Sequence, residues 1–222
     1  MKNLKLVIFD MDGLMFDTEE ISFISFRDAT KLFGCELTRE IFHEILGVNI
    51  ARAKEVYAMH FGADFPFDQM VEKKLEFAAA YVKAHGVPVK PGLYELLDFL
   101  AENQIKRVVA TSSHREVAAD LMVRAKVDSK IDGMVCGDEI SQSKPDPEIF
   151  LKAAEKMQVS PEHCLVLEDS RMGILAAHRA NIKSIMIPDM LQADDKTKQL
   201  YFKEMKSLHE VKKYLAQTFI VR

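Results

Sequence analysis

Cysteine is scarce in this sequence. Its 222 residues hold three, Cys35, Cys136 and Cys164, an odd number set far apart without the C-x-x-C spacing of a zinc or redox pair. That excludes a disulfide framework and leads us to expect reduced, mostly buried thiols in a cytoplasmic protein. Long apolar runs are missing too, since nothing reaches the roughly 18 residues that a spanning helix requires, and no membrane partner is expected. The start, "MKNLKLVIFD", passes from a short polar lead into apolar residues that acids soon interrupt, so it reads as a strand and not as a signal peptide. Basic charge is not in excess: 30 Lys and Arg face 34 Asp and Glu, for a net charge of -4. With no basic block to follow a phosphate backbone, nucleic acid is not expected as a partner. Internal repeats and low-complexity tracts are also absent.

What is present is a hydrophobic content of 48%, enough to fill a real core in one large domain or one domain carrying an insertion. "LKLVIF", Leu4 to Phe9, is short, branched and ended by an acid and then Gly13, as suits a buried strand feeding a loop. Arg107 to Ala110, Gly133 to Cys136, Cys164 to Leu167 and Ser184 to Ile187 resemble it. Helical spacing occupies Leu93 to Asn103, Arg115 to Ala125, Pro147 to Met157 and Arg171 to Ala180 between them, and "SLHEVKKYLAQTF" reads as a last amphipathic helix. This alternation predicts an α/β fold, a Rossmann-like parallel sheet covered by helices on both faces in three α/β/α layers. Residues 17–85 break the rhythm. "ISFISFRDATKLF", "TREIFHEIL", "ARAKEVYAMHF" and "FDQMVEKKLEFAAAYVKAH" read as amphipathic helices separated by Gly34, Gly47 and "GADFPF". The expected organisation is therefore a core of residues 1–16 and 86–222 with a helical insertion, the chain returning through "GVPVKPG".

Ligands of parallel α/β sheets gather at the carboxyl ends of the strands, so the polar residues ending each predicted strand are the candidates. The first strand ends in Asp10, with Asp12 two residues on; the second ends in "TSS", Thr111 to Ser113; the fourth ends in "EDS", Glu168 to Ser170. Lys144, in "SKPDP", follows the third by a loop. Carboxylates converging from two strand ends want a hard cation, and Mg2+ is the natural one. It would keep Asp10 ionised as a nucleophile towards a phosphate that Lys144 and the Thr111 hydroxyl also bind. Asp10 could then form an aspartyl-phosphate, with Asp12 protonating the leaving group and later deprotonating water.

"DMDGLMFDTE", "VVATSS", Lys144 in "KPDPEIF" and "VLEDSRMGILAA" resemble, in order, the four signature motifs of the haloacid dehalogenase-like hydrolase superfamily. The resemblance extends over essentially the full chain and includes a helical cap after the first motif, as in the beta-phosphoglucomutase-like members. It implies Asp10 as nucleophile, Asp12 as general acid/base, and Asp10, the Asp12 backbone carbonyl and Asp169 as ligands of Mg2+, with Glu168 beside the metal waters or orienting Lys144. Thr111, Ser112 and Lys144 are the implied phosphate-binding residues. Asp12 favours phosphoryl transfer over cleavage of carbon-halogen or carbon-phosphorus bonds.

Plainer roles stand beside these. Thr111 could cap the following helix, Asp17 and Glu19 suit the start of the first inserted helix, His114 and Arg115 suit a surface helix start, and the Met and Phe residues of the insertion suit its core. Two departures from the mutase that names the subgroup favour hydrolysis: its cap histidine falls here on Ser22, and its cap arginine on Ile50 of "LGVNIARA", with Arg52 two residues on. The expected function is a Mg2+-dependent phosphatase of a small phosphorylated metabolite, acting as a monomer. A phosphosugar mutase is the alternative, and a phosphoreceiver or catalytically silent binding module the alternative of another class. Substrate choice is expected in the cap and in residues 17–22, with cap closure hinged near Phe16 and Gly86.

Overall fold

The computed structural model describes residues 3–220, apart from 47, 49 and 191 and the side chains of 219 and 220. Gly47, expected to separate two helices, and Asn49 of "LGVNIARA" lie outside the described residues. The chain divides into two compact units, residues 1–17 with 87–222, and residues 18–86.

The larger unit is built on a six-stranded parallel sheet in the order β3-β2-β1-β4-β5-β6. Its strands are β1 (Leu6–Phe9), β2 (Lys106–Ala110), β3 (Gly133–Val135), β4 (Cys164–Glu168), β5 (Lys183–Met186) and β6 (Lys203–Glu204). β1 lies between β2 and β4, pairing Phe9 with Val109 on one side and Leu167 on the other. Its "LVIF" is therefore buried on both faces, which explains a continuous apolar run where a half-exposed strand would alternate. Val7 and Phe9 join one core with α5 (Leu93–Glu102), α6 (Arg115–Arg124) and α9 (Leu208–Ile220). Leu6 and Ile8 join the other with α7 (Glu148–Lys156) and α8 (Arg171–Arg179). The two cores make the α/β/α layering, and every connection between parallel strands carries a helix or a long loop. The two-residue β6 was not anticipated: both of its residues are exposed, so it carries no hydrophobic signature. Strand order reverses between β1 and β4, and at such a switch point the chain leaves a crevice beyond the carboxyl ends.

The smaller unit holds α1 (Thr18–Lys31), α2 (Arg39–Ile45), α3 (Ile50–Phe61) and α4 (Phe67–His85). α1 starts three residues ahead of the apolar pattern that suggested it, with Glu19 and Glu20 in its first turn, where the helix dipole favours acids. Phe23, Phe42, Phe67 and Met70 are buried as core, whereas Met59 is exposed. Tyr57 centres the packing, with its ring 5.3, 5.2 and 5.1 Å from those of Phe61, Phe65 and Phe67 and its hydroxyl 3.1 Å from that of Thr30. No helix among the described residues is long and apolar enough to cross a membrane.

Candidate active site

The site assembles at the carboxyl ends of β1, β2 and β4. Asp10 follows β1 directly and its backbone N–H continues the ladder to the Leu167 carbonyl at 3.0 Å, so its carboxylate is presented beside the end of β4. The chain then turns tightly: Met15 and Phe16 N–H both return to the Met11 carbonyl, and Gly13 N–H reaches the Phe16 carbonyl. Gly13 adopts φ +82°, and a Cβ there would stand 2.3 Å from Asp169 Oδ2. Both the backbone conformation and the approach of the acid demand glycine at this position.

Asp10, Glu168 and Asp169 each offer an oxygen, and the three lie within 4.8 Å of one another. Asp10 and Glu168 are buried. Burial raises the Asp10 pKa to about 8, an effect that Lys144 offsets only in part and that Glu168 reinforces. Asp169 is raised well above the ordinary carboxylate range, first by burial and then by Glu168 and Asp10. Two buried acids and a half-buried third around one point, all with hard oxygen donors, fit a divalent cation of the kind that oxygen ligands hold.

Lys144 is the fixed cation of the group. Its ammonium donates to Asp10, to Glu168 Oε1 at 2.7 Å and to the Ala110 carbonyl at 3.3 Å, so all three donors are directed. Burial works against its charge, but the two acids outweigh that and raise its pKa above the usual lysine range. The loop that delivers it is tied down by Glu148, which accepts from Ser141 N–H at 3.0 Å, the Ser141 hydroxyl at 2.7 Å and Gln142 N–H at 2.8 Å. Glu168 is fixed from its other side. Its Oε2 accepts from the Ser170 N–H at 2.7 Å and hydroxyl at 2.8 Å, while Ser170 Oγ accepts from Gly173 N–H and so caps α8. The carboxylate lies so close on Gly173 that a Cβ there would be 1.7 Å from Oε1.

Asp12 is held by hydroxyls, and its charge adds to the rise of the Asp10 pKa behind burial, the opposing charge of Lys144, and Glu168. Its Oδ2 accepts from Ser113 Oγ at 2.8 Å and Thr111 Oγ1 at 3.4 Å. Thr111 Oγ1 also accepts from Ser113 N–H at 3.0 Å, so it caps its own turn and not α6, whose first N–H, that of Arg115, is met by Asp138. Ser112 is exposed beside them. Arg115 is engaged by the Met134 carbonyl and Glu139, and His114 precedes α6. Asp17 meets Lys90 at 3.2 Å, and Glu20 is held by Arg39. Ser113 and Ser170 stand among the strand-end candidates without a task of their own, whereas Glu148, Lys90 and Asp189 are not among them. The signal for Asp189 was available, because it stands just beyond the fifth strand; the others are marked by contacts alone.

A profile of haloacid dehalogenase-like hydrolases matches residues 7–187. A Thermotoga maritima phosphorylated carbohydrates phosphatase is 31% identical over 182 residues, 82% of this chain and 84% of its own length. The beta-phosphoglucomutase of Bacillus subtilis is 27% identical over 216 residues, 93% of this chain and 95% of its own. Among solved structures, a beta-phosphoglucomutase candidate from T. maritima superposes with a TM-score of 0.83 at 27% identity, covering 96% of this chain and 99% of that one. The profile match spans the three strand ends that supply the acids and hydroxyls and the loop that supplies the lysine, and the chain belongs to the haloacid dehalogenase-like hydrolase family.

Proposed function

We propose that this chain is a Mg2+-dependent phosphatase of small phosphorylated metabolites, sugar phosphates foremost. The observation that supports the reading most strongly is the separation of roles among the acids: Asp10, Glu168 and Asp169 share one locus with Lys144, while Asp12 is held by Ser113 and Thr111. Named relatives that act on phosphorylated carbohydrates point the same way.

Asp10, Asp169 and the Asp12 carbonyl would hold the cation, with Glu168 beside them. When bound, Mg2+ would supply the positive charge that keeps Asp10 ionised and screens it from an anionic phosphate. Asp10 attacks phosphorus, so that a phosphorus–Oδ bond forms as the bond to the leaving oxygen breaks. Lys144 turns the N–H that it gives Asp10, and Thr111 the hydroxyl that it gives Asp12 at 3.4 Å, to the phosphoryl oxygens on which charge is spread. Asp12 gives its proton to the departing alkoxide, then takes one from the water that attacks the aspartyl-phosphate and releases inorganic phosphate. Ser113, donating to Asp12 at 2.8 Å, aims that carboxyl. Glu168 orients Lys144 at 2.7 Å. Residues 18–86 act as the cap that selects the leaving group, and the setting is cytoplasmic.

A phosphate-release screen over phosphorylated metabolites, with and without Mg2+, tests the reading against Asp10→Asn. Mg2+-dependent release from phosphosugars, lost in Asp10→Asn, is expected. No such release from any compound sinks the phosphatase. Beta-glucose 1-phosphate with a bisphosphate primer tests the second reading, prompted by the mutase of B. subtilis. Isomerised product without net phosphate release would put mutase first.

A further inference from the structure

The return segment 88–90 runs alongside the loop after β1: Asp17 N–H donates to the Pro88 carbonyl at 2.8 Å and Lys90 N–H to the Met15 carbonyl at 2.9 Å. From there the Lys90 ammonium reaches Asp189 Oδ1 at 2.6 Å and Asp17 Oδ1 at 3.2 Å. The Lys90 and Asp189 side chains are only 18% and 15% exposed, so their charges are poorly screened. Burial opposes the Lys90 charge, yet the hydrogen bonds and charges of Asp189 and Asp17 outweigh it and raise its pKa. Asp189 follows β5 and neighbours the acids of the site. A Cβ on Gly13 would meet Asp169 Oδ2 at 2.3 Å and Asp189 Oδ2 at 3.3 Å, so both carboxylates face the same bare backbone. The negative charge of Asp189 raises the Asp169 pKa, behind burial, Glu168, Asp10 and the opposing charge of Lys144.

We propose that Lys90 and Asp189 form a charge-balancing pair that sets how tightly the site of Asp10 and Asp169, with Glu168 beside them, holds a divalent cation. Lys90 is a positioning residue here: it neutralises Asp189 and clips the segment after β5 to the loop after β1. The proposal rests on the metal reading above. Its content is a sign. Removing Lys90 leaves Asp189 as an extra negative charge beside the site and tightens cation binding, whereas removing the Asp189 charge leaves Lys90 as an extra positive charge and weakens it. A merely structural loss would loosen the site in both cases.

The experiment is calorimetric titration of the full chain with Mg2+ alone, paired with metal-free melting, for wild type, Lys90→Met, Lys90→Arg, Asp189→Asn and the double variant Lys90→Met with Asp189→Asn. Lys90→Met should bind Mg2+ roughly threefold tighter or more while melting lower without metal, and Asp189→Asn should bind it weaker by a similar factor. The double variant should return to within about twofold of wild type, and Lys90→Arg should keep wild-type affinity. Weaker or unchanged binding in Lys90→Met overturns the proposal. If that variant does not fold, Asp189→Asn decides with its metal-free melting: weaker binding at an unchanged melting temperature supports the pair, and unchanged or tighter binding, or weaker binding with a lowered melting temperature, overturns it. A wild type that takes up no Mg2+ overturns the metal reading itself, a result distinct from a wild type that binds Mg2+ with unshifted variants.

Discussion

Lys144→Met removes the cation that meets Asp10 and Glu168 while keeping an unbranched apolar stem over the Phe150 ring, which the ammonium overlies at 5.0 Å. At the 2.7 Å separation from Glu168, and with an effective dielectric of about 20, the lost attraction is about 6 kcal/mol. Desolvating the lysine cost several kcal/mol, and that is recovered, so breaking such a buried pair leaves a net loss of about 3–5 kcal/mol. Lys144 is the charge that opposes the rise of the Asp10 pKa, so without it Asp10 holds a proton more firmly and sheds its charge, which places the expected loss towards the lower figure. On the proposed mechanism the variant also lacks a donor to the transferring phosphoryl group, an interaction worth about 100- to 1,000-fold in kcat. Urea unfolding of EDTA-treated protein, followed by circular dichroism, reads the stability, and phosphate release at saturating Mg2+ reads the turnover. A stability within about 1 kcal/mol of wild type would refute the buried-pair reasoning. Turnover within about threefold would refute the role of Lys144 in binding phosphate.

Asp12→Asn should keep the side chain in place beside Ser113 but remove its proton chemistry. A fall in kcat of about 100-fold or more is expected, with Mg2+ affinity by calorimetry near wild type, and a fall below about tenfold would remove Asp12 from that role. Gly173→Ala would ordinarily stabilise a helix such as α8 by up to about 1 kcal/mol. Here its Cβ would stand 1.7 Å from Glu168 Oε1, so the sign should reverse to a loss of about 1–3 kcal/mol in thermal unfolding, together with reduced turnover. Glu148 carries the pH dependence. Hydrogen bonds from Lys152, then from Ser141 and Gln142, lower its pKa from 4.5 to about 2. A depressed carboxylate stabilises the fold fully above its unfolded pKa and loses that contribution as pH falls through the folded one. The melting difference between wild type and Glu148→Gln should therefore be complete above about pH 4.5 and close as pH falls towards 2. A difference independent of pH would mean that the Glu148 charge does not hold the lysine loop.

Much of this protein follows from local pattern. "LVIF" can be continuous and apolar only where a strand is covered on both faces, so the parallel sheet and its two helical layers are written in the residues themselves. Acids and hydroxyls just past successive strands share one sheet edge once the strands are parallel, which is why Asp10, Thr111, Glu168 and Asp169 could be grouped before any coordinates. β6 escaped notice because its two exposed residues carry no pattern. Glycine at 13 and 173 could be read as a turn and a helical residue, but not as the floor on which Asp169 and Glu168 lie.

The contacts that decide charge balance were out of reach, because they join residues far apart in the chain through side-chain positions that no periodicity encodes. Lys144 meets Asp10 across 134 positions, and Lys90 meets Asp189 across 99. By itself the sequence determined which chemical groups stand at the sheet edge, since the two-residue alternation of a strand and the parallel order leave little choice. Which cation neutralises which acid, that Ser113 holds Asp12, and that Asp189 joins the electrostatics of Asp169 were settled by folding. Coulomb energies in a buried site change steeply over a few ångströms, and those distances exist only once the chain has folded.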